Sequence, residues 1–170
     1  LLTLTGVGEI QIRASQSGNE NYHPAEDVLQ SFLVSKATQE ILFDPPTGLV
    51  FGDDPIELVA TASSGLAVAF SIDSGPATID SDILTLTGAG TIVVRASQAG
   101  DDNYEPAVDV VEFLEVGKSD QSITFEPPLG VPYGTEVIEL EATASSELPV
   151  EFELLSGRAA LNESSLTVSG

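Results

Sequence analysis

The chain carries a single histidine, His23, no cysteine, and 27 carboxylate side chains against five basic ones. Its chemistry is therefore confined to carboxylates, hydroxyls and the cations they could hold. His23 precedes Pro24, and the matching position 82 residues on is Glu105. A site that repeats cannot use it for proton transfer, so His23 reads as a turn residue. No glycine-rich phosphate loop, Ser–His–Asp set or histidine metal spacing occurs in the sequence. The expectation is a chain with no catalytic residues.

Calcium is the one cofactor worth weighing. It requires several carboxylates that converge with backbone carbonyls. The candidate ligands are Asp53 and Asp54, Asp80 and Asp82, and Asp101 and Asp102 beside Asn103. Their counterparts 82 residues away are Thr135 and Glu136, Asn162 and Ser164, and Asn19 and Glu20. Each pair thus loses at least one acid between copies, and no loop has the spacing of a helix–loop–helix calcium site. These acids read as solvated loop residues, with no bound metal or cofactor expected.

The elements that position these residues follow from an internal repeat. Leu2-Thr3-Leu4-Thr5-Gly6 returns as Leu84-Thr85-Leu86-Thr87-Gly88, and Arg13-Ala14-Ser15-Gln16 as Arg95-Ala96-Ser97-Gln98. Ala60-Thr61-Ala62-Ser63-Ser64 returns as Ala142-Thr143-Ala144-Ser145-Ser146. Every offset is 82 residues, without a gap.

Within one period the pattern is β throughout. Ile41 and Phe43, then Ile56, Leu58, Ala60 and Ala62, then Val68, Phe70 and Ile72 alternate with polar neighbours. Leu84 and Leu86, then Ile92, Val94 and Ala96, and finally Val110, Leu114 and Val116 complete the set. Turns fall at Pro45-Pro46-Thr47-Gly48, Ser63-Ser64-Gly65, Ser74-Gly75-Pro76 and Gly88-Ala89-Gly90. The spacing predicts an all-β chain of tandem Ig-like β-sandwich repeats, about seven strands per unit.

In that frame, 1–36 is the C-terminal part of one repeat, 37–118 a complete repeat, and 119–170 the N-terminal part of a third. The joins are two to four polar residues long, short enough to predict an elongated, semi-rigid rod. Two readings of the ends are open. Either the frame is permuted to 1–82 and 83–170, or the partial ends complete one another head-to-tail between chains. Leu1 reads as an internal position of a longer protein.

Net charge is −22. Such a surface repels phosphate backbones and anionic lipid, which argues against nucleic-acid partners and direct membrane insertion. Arg13 and Arg95 stand at outward strand positions, where cross-sheet ion pairs are expected. The loop Gln98–Ala107, repeated as Gln16–Ala25, carries Tyr104 and Tyr22. Its tyrosines are expected to pack their rings over the end of a sandwich. With Tyr133 they are also the only aromatics free to form a ligand platform.

Several segments resemble bacterial MBG-type immunoglobulin-like domains. These are Ile41-x-Phe43-x-Pro45-Pro46 with Phe51-Gly52-Asp53, its copy Ile123-x-Phe125-x-Pro127-Pro128 with Tyr133-Gly134-Thr135, and Gly90–Gln98 with Asn103-Tyr104. Domains of that kind occur in series in very large secreted or surface adhesins, including those of gliding bacteria. The resemblance implies an extracellular or cell-surface location and a non-catalytic structural role in cell adhesion, spacing a distal binding region from the cell. Thr135 replaces the acid that the pattern places after Tyr-Gly, so no role of Asp53 carries to the third unit. The alternatives are a filament-forming module that closes partial units by strand complementation, and a glycan- or protein-binding module. The expected partners are neighbouring repeats of the same protein and further copies of this chain.

Overall fold

The structure, a computed structural model, describes every residue except Tyr133, Glu136, Ser169 and Gly170. One tyrosine of the platform, the counterpart of Asp54 and the end of Leu166-Thr167-Val168-Ser169-Gly170, which repeats Leu84–Gly88 82 residues on, thus lie outside the described residues. Among the described residues there is no helix. Alternating apolar and polar side chains, broken by glycine, proline and serine pairs, give helical spacing nowhere to run. The chain divides into two compact units, Leu1–Lys118 and Ser119–Gly170.

The first unit opens with β1 (Gly8–Ala14) and β2 (Val28–Val34), an antiparallel pair with Gly8 opposite Val34 and Ala14 opposite Val28. It continues through β3 (Ile41–Phe43), β4 (Leu49–Val50), β5 (Ile56–Glu57) and β6 (Ala60–Ala62). Then come β7 (Ala69–Ser74), β8 (Ala77–Asp80) and β9 (Ile83–Leu86). The unit ends with β10 (Gly90–Ser97) and β11 (Val110–Gly117). One layer runs β4-β11-β10-β7, antiparallel except for the parallel β4–β11 edge. The facing layer is β3-β6 together with β5-β9-β8. The run expected as one strand over Ile56–Ala62 is two, because it changes partner midway. Its first half pairs with β9 and its second with β3. The Leu58 amide spans the change by donating to the Asp82 carbonyl at 2.8 Å.

The core lies between these layers. Phe43, Leu58, Leu84 and Leu86 from one side cluster with Leu49, Ile92, Val94, Ala96, Leu114 and Val116 from the other. Leu84, Ile92, Val94 and Leu114 are sealed from solvent, each contributing about 1.5–3 kcal/mol as an upper estimate. The Phe43 and Phe70 rings tilt together at 5.2 Å between centroids. This is a β-sandwich core, and it is built wholly from 37–118.

The second unit holds β12 (Ile123–Phe125), β13 (Ile138–Glu139), β14 (Ala142–Ala144), β15 (Ala159–Asn162) and β16 (Ser165–Val168). Ile123 lies opposite Ala144 as Ile41 lies opposite Ala62, and Leu161 opposite Leu166 as Ile79 opposite Leu84. Phe125 meets Phe152 at 5.4 Å, matching Phe43 and Phe70.

Two expected strands do not form. Leu2–Thr5 stands outside any sheet, whereas its counterpart β9 pairs with β5 and β8, which 1–36 does not contain. Residues 151–155, counterparts of 69–73 in β7, are also unpaired. β7 is held by β10, and 119–170 has no such strand. No described residue of 1–36 or 119–170 is buried.

Candidate functional site

The most densely bonded irregular segment is the loop between β10 and β11. Gln98 opens it, and the Gln98 side-chain oxygen accepts from the Gly100 amide and from the Gln39 amide nitrogen, both at 2.5 Å. Gln39 also donates to the Glu105 carbonyl at 2.7 Å and accepts from the Ser64 hydroxyl. Among the described residues Gln39 is the only buried polar one, and its amide is satisfied on both sides, as burial demands. Asp101 caps the turn by accepting the Asn103 and Tyr104 amides at 2.8 and 2.9 Å. Gly100 has φ +76°, and a Cβ there would stand 2.4 Å from the Tyr104 carbonyl oxygen. Glycine is required at that position by both dihedral and space.

This rigid loop receives the preceding residues of the chain. Ala37 donates its amide to the Asn103 carbonyl at 2.8 Å and accepts from the Glu105 amide at 2.9 Å, a short parallel bridge beside Tyr104. The Lys36 ammonium donates to the Asp101 carbonyl at 2.6 Å. Asn103 Oδ1 accepts the Val7 amide at 3.2 Å. Between them lies an open cleft of about 310 Å³ bounded by Leu4, Val7, Val34, Ala37, Asn103 and Tyr104. An isolated two-stranded hairpin is marginal in water, and these bonds tie β1–β2 to the sandwich end. The site is a hydrogen-bonded contact between the hairpin and the sandwich.

The candidate calcium ligands are spent locally or stand apart. Asp53 accepts the Val50 amide at 2.9 Å, closing its own turn. Asp80 accepts from the Ser81 hydroxyl, and Asp82 is exposed, its backbone carbonyl accepting the Leu58 amide. Asp54 and Asp102 are exposed. Among the described residues no three acid or histidine side chains gather as a metal-holding group.

Arg95 and Arg13 form the cross-sheet pairs expected of them. Arg95 reaches Asp73 through Nε at 3.1 Å and Asp109 through Nη1 at 3.0 Å. The hydrogen bonds that Arg95 donates to Asp73 and Asp109 raise its pKa above the usual value. Arg13 meets Asp27 at 3.4 Å.

Tyr104 is half-buried against the incoming segment, while Tyr22 is 74% exposed. His23 lies in the turn over Gly18, where a Cβ would meet the Tyr22 carbonyl oxygen at 2.3 Å. The sequence marks Asp101, Asn103 and Tyr104 in this loop, whereas Ser64 reads only as a turn residue and Gln39 and Lys36 only as lying near the ends of a unit. The signal was present, since Gln39 recurs as Gln121, Ser64 as Ser146 and Lys36 as Lys118.

Comparison of the chain with protein-family models, with curated proteins and with solved structures gave no match.

Proposed function

We propose that the chain is a non-catalytic stalk segment of an extracellular bacterial adhesin, built from tandem Ig-like units that hold a distal binding region away from a cell surface. The observation that carries this reading is the joint around Asn103. There the preceding residues are fixed to the next sandwich by backbone bonds at Ala37 and by the Lys36 and Val7 contacts. A spacer must resist bending between units, and a short join bonded on both faces does so without a large apolar interface. Strand pairing in 119–170 in the register of 37–118 supports a serial arrangement. The net charge of −22 supports an exposed chain that stays soluble and avoids anionic surfaces. The resemblance to MBG-type immunoglobulin-like domains supplies the adhesin setting.

With strands of about six residues rising about 3.3 Å each, one unit adds very roughly 30–40 Å of length. Electron microscopy of chains carrying one, two and four copies of 37–118 in series tests the reading. Length that grows in proportion to copy number supports it. Particles that thicken without lengthening exclude a stalk.

A further inference from the structure

We infer that the outward face of β10–β11, centred on Phe113, is a docking surface for a partner protein that sets basic side chains around an apolar contact. Ile92, Val94 and Ala96 of β10 and Leu114 and Val116 of β11 are buried in the core. Strand alternation therefore sends Thr91, Val93 and Arg95, with Val111, Phe113 and Glu115, to the other face of the sheet. There Val93 lies directly opposite Phe113, and Arg95 opposite Val111. Val93 and Val111 are half-buried, while Phe113 is 67% exposed. The fold does not require that ring. At the matching positions of β1–β2, Gln11 lies opposite Ser31 in the same register, although Leu29 keeps the apolar character of Val111. An exposed aromatic ring at the centre of a flat apolar strip is the usual anchor of a protein interface.

Acids frame the strip, and each is held in place. At one end Thr91 Oγ1 donates to Glu115 at 2.8 Å. At the other, Arg95 spans Asp73 and Asp109, at 3.1 and 3.0 Å. Asp73 reaches Arg95 from a bulge, because β10 pairs Val93 with Ser74 and Val94 with Ile72 and leaves Asp73 between them. The strands β4, β7, β10 and β11 carry one basic residue, Arg95. Three carboxylates against one guanidinium leave the frame at −2, within a chain of net charge −22.

That charge selects the occupant. A second copy of the same face would bring acid against acid, and a phosphate or sulfate polymer would be repelled in the same way. A basic protein surface is drawn in by the field. On contact it sets Lys or Arg against Glu115 and Asp109 while an aliphatic or aromatic side chain covers Phe113. The stalk proposed above needs no lateral partner, so the two readings fail separately.

Panning a random peptide library against the 170-residue chain, with counter-selection on Phe113→Ser, tests the assignment. The Phe113 ring stands outside the core, so this variant should keep the unfolding temperature of the unaltered chain. Recovered peptides should combine Lys or Arg with an aliphatic or aromatic residue. A synthetic copy of the strongest should bind Phe113→Ser and Glu115→Lys each about tenfold more weakly than the unaltered chain. Its affinity should also fall as salt rises from roughly 50 to 300 mM. Failure to recover any peptide that discriminates against Phe113→Ser, recovery of peptides without basic residues, or binding indifferent to Glu115→Lys would each overturn the proposal. So would capture of a neutral glycan from an array, lost in Phe113→Ser, since the face would then be a sugar platform.

Discussion

Asn103 Oδ1 accepts the backbone amide of Val7, 96 residues earlier, at 3.2 Å. A loop side chain on one sandwich thus holds the first strand region of the hairpin that precedes it. The rest of the contact is backbone at Ala37 and the Lys36 ammonium, so Asn103 is the loop side chain whose loss tests the contact.

Asn103→Ala should leave the 37–118 core intact and loosen the joint. A typical intramolecular hydrogen bond contributes about 0.5–1.5 kcal/mol net. Hydrogen exchange at the Val7 amide should quicken by about three- to tenfold, while the Ile92 amide stays protected. Equal quickening at both positions would mean that Asn103 supports the core instead.

Gly100→Ala and Gly65→Ala separate space from dihedral strain. Both glycines have nearly the same φ, +76° and +77°, but only Gly100 has an atom in the way of a Cβ. Thermal unfolding should show Gly100→Ala more destabilising than Gly65→Ala, by about 1–3 kcal/mol. Equal shifts would show that the loop yields freely around Tyr104.

Ile92→Ala should cost about 2–5 kcal/mol in denaturant unfolding, since the side chain is fully buried in the cluster. Ile10→Ala, at the same position of the preceding hairpin, should cost less than about 1 kcal/mol in dilute chain, because no second layer covers it. A large loss from Ile10→Ala in a monomeric sample would contradict the hairpin's exposure.

Calcium should leave the melting temperature unchanged relative to chelator at matched ionic strength. A cation held only by the native state must raise it. The candidate acids Asp53, Asp80 and Asp101 are instead engaged with neighbouring amides and a hydroxyl. A rise of several degrees, specific to calcium over magnesium, would reinstate a site.

Much of the sandwich was legible in the sequence because strand alternation is a local signal. Ile92, Val94 and Ala96 are apolar at every second position, and each is buried. Pairing is not local, and there the sequence misleads. Leu2–Thr5 reads as well as Leu84–Thr87 and yet forms no strand, since a strand exists only where a partner supplies its ladder. The same holds for Phe152 and Leu154, which alternate as Phe70 and Ile72 do but lack a β10. The joint was half legible. Asp101 and Asn103 advertise a turn, whereas Gln39 is recognisable only once Gln98 is seen 59 residues away in contact with it.

Stretching a chain of several 37–118 copies in series between two surfaces tests the serial, self-contained unit most directly. Each 82-residue unit should open as one event and release about 240 Å, its extended length less its folded length. Force steps equal in number to the copies are the predicted result. Smooth extension, or a single large release for the whole chain, would contradict independent load-bearing units.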